Sequence, residues 1–102
     1  MAAEGKLRAK LKARVEAYGG EIRAVSWLGR RFAPDVLCLF PPNARYFLLG
    51  KTRKSPVFIE AKAQGKCPTV GQLLEHERMK LCGCEVRVIA SEFELDEWLP
   101  PL

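Results

Sequence analysis

Histidine, long apolar runs and paired metal-binding cysteines are all scarce in this chain of 102 residues. Its single histidine, His76, and four cysteines without a C-x-x-C pair argue against a tetrahedral zinc site. No apolar run approaches the roughly 20 residues that cross a membrane. The first residues also lack the apolar stretch of a signal peptide. We therefore expect a cytoplasmic protein with reduced, structural thiols and no membrane segment.

Acidic residues are fewer than basic ones, 12 against 17, which gives a net charge of +5. A small basic domain favours a polyanionic partner such as nucleic acid. Hydrophobic residues make up 48% of the chain, which is typical of a folded domain and not of a disordered tail. The length predicts a single domain over residues 1–102.

The apolar spacing predicts an α/β fold with the element order α-β-β-β-β-α-β-α and a mixed central sheet flanked by helices. Two of the predicted strands, Arg45 to Leu49 and Pro56 to Lys62, are expected to form a hairpin around a basic turn. Thr69 and Gln72 have the spacing of a capping box at the start of the second helix. The other predicted elements are helices over 4–18, 70–82 and 92–99, and strands over 22–27, 35–40 and 85–90.

Two apolar strands carry charged residues at their ends. Asp35 opens one strand, and Glu60 and Lys62 lie on the same face of another because strand side chains alternate. If the strands are neighbours, two hard oxygen ligands and a lysine converge, which suits Mg²⁺-assisted attack on a phosphodiester. A surface salt bridge between Glu60 and Lys62 is the alternative.

Glu4 extends the apolar stripe of the first helix by one turn. Two interpretations stay open. It serves as a third metal ligand, or it is an acidic residue that the helix dipole favours in the first turn.

These residues resemble the PD-(D/E)XK nuclease signature, and the whole chain resembles a stand-alone VRR-NUC domain, of the phage and bacterial type. The same family supplies the catalytic module of the Fanconi-associated nuclease. The resemblance spans roughly residues 4 to 99. Its pieces are Glu4, Arg14 to Gly20, Arg30 to Asp35, Phe58 to Lys62, Gly65 to Gln72, and Leu81 to Val86.

The resemblance implies a restriction-endonuclease-like core and a set of site residues. It assigns metal binding to Glu4, Asp35, Glu60 and the backbone carbonyl of Ala61, and catalysis to Asp35, Glu60, Lys62 and Gln72. Mg²⁺ or Mn²⁺ is the implied cofactor, and DNA is the implied substrate of phosphodiester hydrolysis. Stand-alone members resemble Holliday junction resolvases, so the resemblance also implies a homodimer acting on branched DNA, within a bacterial or phage-infected cell.

One departure from the family is Phe32, because the family usually has glycine two residues before the Pro-Asp pair. A ring there changes the loop that leads to the site, packs at a dimer seam, or stacks on DNA. A second departure is the longer stretch between positions 42 and 55. We expect DNA contacts from basic residues near the site and at the tip of that stretch: Arg23, Arg30, Arg31, Lys51, Arg53, Lys54 and Lys66.

His76 is flanked by Glu75, Glu77 and Arg78, and we expect it at the surface of its helix. Three functions compete. A metal-dependent, junction-selective endonuclease comes first, a flap or general duplex nuclease second, and a non-catalytic basic DNA-binding module third. A protein-interaction domain without nucleic acid would show no salt-sensitive DNA binding.

Overall fold

The computed structural model describes residues 3–102, with side chains from position 5 onward. Its elements follow the order α-β-β-3₁₀-β-α-β-α. The helices are α1 (Ala3–Ala17), α2 (Val70–Leu81) and α3 (Glu92–Trp98), and a 3₁₀ helix covers Arg45–Leu49. The strands are β1 (Glu21–Ala24), β2 (Val36–Leu39), β3 (Val57–Ala61) and β4 (Glu85–Ile89). The predicted α/β class with a mixed sheet flanked by helices is confirmed.

The four strands form one sheet in the order β1-β2-β3-β4. The pairs β1–β2 and β2–β3 are antiparallel, whereas β3 and β4 are parallel and are joined through α2. Val36 pairs with Ile59 at the last step of the β2–β3 ladder. Continuing this register by one residue places Asp35 opposite Glu60.

Helix α1 covers one face of the sheet with a conventional apolar stripe. Leu7, Leu11 and Val15 recur at helical spacing and are buried together with Ile59 of β3. Helix α3 closes this core, and its Asp96 accepts a 2.8 Å hydrogen bond from Arg14 of α1. Trp98 and Leu99 also lie in this core.

The predicted strand at Arg45–Leu49 is wrong, and so is its hairpin with β3. The segment is a 3₁₀ helix because β2 pairs directly with β3 and leaves no sheet position for it. Tyr46 is the buried anchor of this helix. Its ring stacks on Phe40 with centroids 3.8 Å apart, and its hydroxyl donates to the Lys54 carbonyl at 2.8 Å. The aromatic residues of this segment therefore pack over one end of the core and do not pair in the sheet.

Helix α2 packs on the sheet through polar residues. The predicted capping box at its start is confirmed, with the Thr69 hydroxyl accepting from the Gln72 N–H at 3.2 Å. Glu75, His76 and Met79 are buried. The buried face of this helix is consequently polar, while its outer face is apolar: Val70, Leu73, Leu74 and Leu81 are exposed.

Because side chains alternate along β3, Ile59 and Glu60 point to opposite faces of the sheet. Ile59 belongs to the apolar core that α1 covers, and Glu60 meets α2. Within residues 3–102, no helix combines the length and apolarity that a membrane span requires.

Candidate active site

Asp35 is fixed at the point where the β2–β3 ladder ends. Its Oδ2 accepts a 2.8 Å hydrogen bond from the backbone N–H of Ala61. Its own carbonyl accepts from the Val25 N–H at 3.0 Å, which ties the preceding loop to the strand. The Asp35 carboxylate thus accepts a hydrogen bond from β3, as a backbone carbonyl does within the sheet. This geometry confirms that the strands of Asp35 and Glu60 are neighbours.

Glu60 is a charged residue almost fully removed from solvent, with 2% of its surface exposed. Its Oε1 lies 3.6 Å from Nε2 of His76, which is itself 3% exposed. The prediction that His76 lies at the surface is wrong. The helix turns its Glu75–His76 side toward the sheet, because α2 packs on β4 through that face and leaves the leucines outside.

Burial lowers the pKa of His76 below its ordinary value, and the ammonium groups of Lys80 and Lys62 lower it further. The carboxylates of Glu75 and Glu77 oppose this shift. The imidazole beside Glu60 is therefore neutral near pH 7, and it has one N–H to donate. No sequence signal separated His76 from its charged neighbours, since the face that α2 buries is set by tertiary packing.

Lys62 follows β3 and is held by its backbone, which donates to the Ile89 carbonyl at 2.9 Å. Its side chain lines a cleft of about 180 Å³ together with Lys6 and Lys10 of α1. Glu92 lies in the same cleft and pairs with Lys10. Lys62 therefore stands between the buried Glu60 side of the sheet and a basic cleft open to solvent, where a phosphate has access to it.

Arg8 joins the site from α1, although the sequence pattern did not single it out. Its guanidinium lies 3.1 Å from Asp35 Oδ1. Arg8 follows Glu4 by one helical turn, so both positions lie on the same side of α1. The i, i+4 spacing from Glu4 is the sequence signal from which Arg8 could have been found. The side chain of Glu4 itself lies outside the described side chains.

Gln72 uses its side-chain oxygen in the capping box, where it accepts from the Thr69 N–H at 2.8 Å. It lies on the same buried side of α2 as His76, one helical turn earlier. Its capping role is therefore shown by the geometry. A direct role at the reacting phosphate stays a prediction.

The donor set at this edge of the sheet fits a hard divalent cation. Asp35 and Glu60 supply carboxylates, and the strand end at Ala61 supplies a backbone carbonyl. Among the described side chains, no three of the His, Cys, Asp or Glu type converge as a complete metal cluster. Mg²⁺ commonly uses one or two carboxylates and fills the rest of its shell with water and substrate phosphate, so two carboxylates are sufficient.

Phe32 takes a backbone conformation that explains the usual glycine of the family. Its φ is +69°, in the left-handed region that costs an L-residue about 1–2 kcal/mol. Its ring packs on Gly71 of α2, where an added Cβ would come within 2.4 Å of Cζ. Contact with a glycine thus lets the ring lie close to α2. Phe32 packs on the helix and remains 44% exposed, beside the outer leucines of α2.

Arg30 lies in the same loop and crosses to α2, where its guanidinium binds the Glu75 carboxylate at 2.7 Å. Glu75 is buried, and Arg78 lies 3.5 Å from the same oxygen. Arg30 therefore neutralises a buried carboxylate and fixes the loop that delivers Asp35.

The remaining residues predicted to contact DNA fall into separate places. Arg31 and Lys66 are exposed in loops at the site edge of the sheet. Arg23 is on edge strand β1, bound to Glu21 at 2.8 Å. Arg53 is used inside the fold, since it donates to the Trp98 carbonyl at 2.7 Å and lies over the Tyr46 ring.

Lys51 and Lys54 are exposed at the opposite edge of the sheet, before β3 begins. The five residues of β3 separate that edge from the site by roughly 17 Å. A larger cleft, about 710 Å³, also lies there, lined by Phe47, Phe58 and Lys54. Glu85 is the single carboxylate among its lining residues, whereas Asp35 and Glu60 lie together at the other edge.

Comparison with known proteins identifies the family of this chain. A scan against family models and a search of curated proteins each gave no match. A solved structure described as a VRR_NUC domain superposes with a TM-score of 0.79 at 34% sequence identity. The alignment covers 95% of this chain and 94% of that chain. The fold and the site edge define a small α/β domain with two carboxylates, Asp35 and Glu60, where neighbouring strands meet. The chain belongs to the VRR-NUC family of nuclease domains.

Proposed function

We propose that this domain is a metal-dependent DNA endonuclease that hydrolyses phosphodiester bonds. The observation that supports this most directly is the strand-end geometry. Asp35 binds the Ala61 N–H at 2.8 Å, and the sheet register sets it opposite Glu60. Lys62 follows at the same edge and faces a basic cleft.

The ligands that we assign to Mg²⁺ or Mn²⁺ are Glu4, Asp35, Glu60 and the carbonyl of Ala61. The divalent cation supplies Lewis-acid charge beside the phosphate when it is bound. Lys62 orients the attacking water and stabilises the negative charge that develops on phosphate oxygens. Gln72 fixes the start of α2 through its capping bond with Thr69. The expected products carry a 5′-phosphate and a 3′-hydroxyl.

DNA binding is assigned to exposed basic residues at the site edge. Arg31 lies in the loop that precedes Asp35, and Lys66 lies in the loop that follows Lys62. Lys6 lines the cleft beside Lys62. These contacts are electrostatic, so affinity for DNA falls steeply as salt rises. Lys51 and Lys54 reach DNA only where a duplex or a junction arm extends across the domain.

We further propose that two copies form a homodimer and that branched DNA is the preferred substrate. The outer face of α2 supports the dimer, because Val70, Leu73 and Leu74 are exposed, and the half-exposed ring of Phe32 packs on Gly71 of the same helix. An apolar face of this kind is typical of an interface. A two-fold dimer presents two active sites, as symmetric incision of a four-way junction requires.

Cleavage assays test the proposal with a labelled four-way junction, a flap and a matched linear duplex. Each substrate is incubated with Mg²⁺, Mn²⁺ or EDTA. We expect paired nicks across the junction, dependent on metal, and a loss of at least about 100-fold in rate in Lys62→Ala. Lys80→Ala is the charge-matched control, since Lys80 lies exposed near the far end of α2 and pairs with Glu77.

The outcomes separate the competing functions. Equal cutting of all three substrates would retain the nuclease and contradict the junction preference. Tight, salt-sensitive DNA binding without any metal-dependent cutting would overturn the enzyme and favour a non-catalytic DNA-binding module. Equal activity of Lys62→Ala and Lys80→Ala would remove Lys62 from the mechanism.

A further inference from the structure

His76 is the one histidine of the chain, and it is buried against the most buried carboxylate of the site edge. The Nε2–Oε1 distance to Glu60 is 3.6 Å. Nε2 has no hydrogen-bond partner among residues 3–102, although it is shielded from solvent. A buried polar nitrogen without a partner costs free energy, so an imidazole at this place is unfavourable unless it serves the carboxylate.

The other residues on the buried face of α2 indicate that His76 does more than fill space there. Glu75 beside His76 is held by Arg30, and Gln72 one turn earlier is held by the capping box. Met79, one turn later, fills the apolar end of the same face. Hydrophobic residues were available on this helix, yet they lie outside. The polar groups therefore occupy the side that faces β3 and β4.

We propose that His76 is a positioning residue for the nuclease site: its Nε2–H donates to Glu60 Oε1 and fixes the rotamer of this carboxylate at the site edge. A shift of about 0.5 Å brings the pair within hydrogen-bond distance. Groups that orient a metal-binding side chain in this way are worth roughly 10–100-fold in metal affinity or activity. The inference rests on the proposed function, because it presumes that Glu60 is a metal ligand.

The first test is metal binding without DNA. Mn²⁺ titration, followed by calorimetry and by electron paramagnetic resonance, compares wild type with His76→Leu and His76→Gln. Leucine fills the space without a donor, whereas glutamine places an amide N–H at a similar reach. We expect roughly 10–100-fold weaker Mn²⁺ binding in His76→Leu and a recovery of most of that loss in His76→Gln. Met79→Leu is the control for a volume change on the same buried face.

The second test uses the wild-type protein and does not depend on a variant that folds. The single histidine gives one imidazole in a ¹⁵N spectrum, so its tautomer is assigned without ambiguity. We expect the proton on Nε2 and a change in its shift in Glu60→Gln. A proton on Nδ1 with a bare Nε2 would overturn the inference.

The two proposals fail in different ways. Wild-type protein that binds no Mn²⁺ would overturn the metal-dependent function, and this inference with it. Wild-type protein that binds Mn²⁺ with the same affinity as folded His76→Leu would overturn the inference alone. Equal losses in the leucine and glutamine variants would also contradict it, since volume and not the donor would then matter.

Discussion

Helices α1 and α2 cover opposite faces of the same sheet, but they bury opposite kinds of side chain. Helix α1 turns Leu7, Leu11 and Val15 inward and leaves its lysines outside. Helix α2 turns Glu75 and His76 inward and leaves its leucines outside. The first helix follows the rule of apolar burial, and the second inverts it.

This difference separates stability from function. Burial of charged and polar groups costs free energy unless each group has a partner, so an inverted helix is poorly suited to hold a fold together. The α1 side supplies the apolar core, which is continuous from α1 through β3 to α3. The α2 side places His76 beside Glu60 and leaves a second apolar surface exposed. Stability belongs mainly to the α1 face of the sheet, whereas the proposed chemistry and the proposed dimer contact belong to the α2 face.

The largest expected effect is on the α1 face. Leu11 is fully buried, so Leu11→Ala leaves a cavity and should lower the free energy of unfolding by about 2–5 kcal/mol. Leu74→Ala on the outer face of α2 should change it by less than about 0.5 kcal/mol at protein concentrations where the chain is monomeric. Urea unfolding measures both. Comparable losses for the two leucines would contradict the contrast between the helices.

The outer face of α2 is tested by its effect on association. The double substitution Leu73→Glu, Leu74→Glu should weaken the proposed dimer at least 100-fold, or about 2.7 kcal/mol, because it sets charges in an apolar contact. Sedimentation across a range of concentrations measures the change. Leu48→Glu is the control, since Leu48 is also exposed but lies on the 3₁₀ helix. A monomeric wild type, or a dimer that the double variant leaves intact, would reject this surface.

The contact between Phe32 and Gly71 predicts a smaller effect on the free energy of unfolding, and the sign of this effect depends on the residue at position 32. Gly71→Ala should cost about 1 kcal/mol because the new methyl displaces the Phe32 ring. In the background of Phe32→Gly the same change should stabilise the helix by a few tenths of a kcal/mol, since alanine is the better helix former. A double-mutant cycle in urea gives the coupling. Additive effects would show that the ring does not rest on α2.

The smallest perturbation is thiol labelling of the wild-type protein, which compares a cysteine on the α1 side of the sheet with one after the end of α2. Burial raises the pKa of the Cys38 thiol, on the α1 side of the sheet, to about 12 from an ordinary value of 9.0. Cys82, after the end of α2, is exposed. At pH 8 a thiol reagent should therefore modify Cys82 quickly and Cys38 only after unfolding.

The raised pKa also has a consequence for stability. The folded state keeps the Cys38 proton while the unfolded chain loses it near pH 9, so this contribution is full below pH 9 and is lost as pH rises toward 12. Mass spectrometry of labelled peptides over a pH series checks the order of reaction. Early labelling of Cys38 at pH 8 would show that the α1 face is open.

Much of the fold and of the site follows from local pattern. The strand that ends in Glu60 and Lys62, the strand that Asp35 opens, and the capping box of Thr69 all depend on residues close in the chain. The neighbourhood of β2 and β3 is fixed by one antiparallel register.

Other features depend on packing between distant segments, and local pattern did not reveal them. Arg45–Leu49 is rich in aromatic and apolar residues, as a strand often is, but Tyr46 stacks on Phe40 and the segment forms a 3₁₀ helix. His76 is buried although its neighbours in sequence are charged, because packing between distant segments selects the buried side of α2. Arg30 and Arg53 stay predicted DNA contacts, but the sequence did not reveal that each also binds a group inside the fold.

The central claim is that Asp35, Glu60 and the Ala61 carbonyl hold a divalent cation beside Lys62. Crystals grown with Mn²⁺, with anomalous data collected at the manganese edge, test it most directly. The account predicts a peak about 2.1 Å from oxygen atoms of Asp35 and Glu60. Metal-dependent DNA cutting without a peak at this edge of the sheet, or with the peak among other residues, would contradict it.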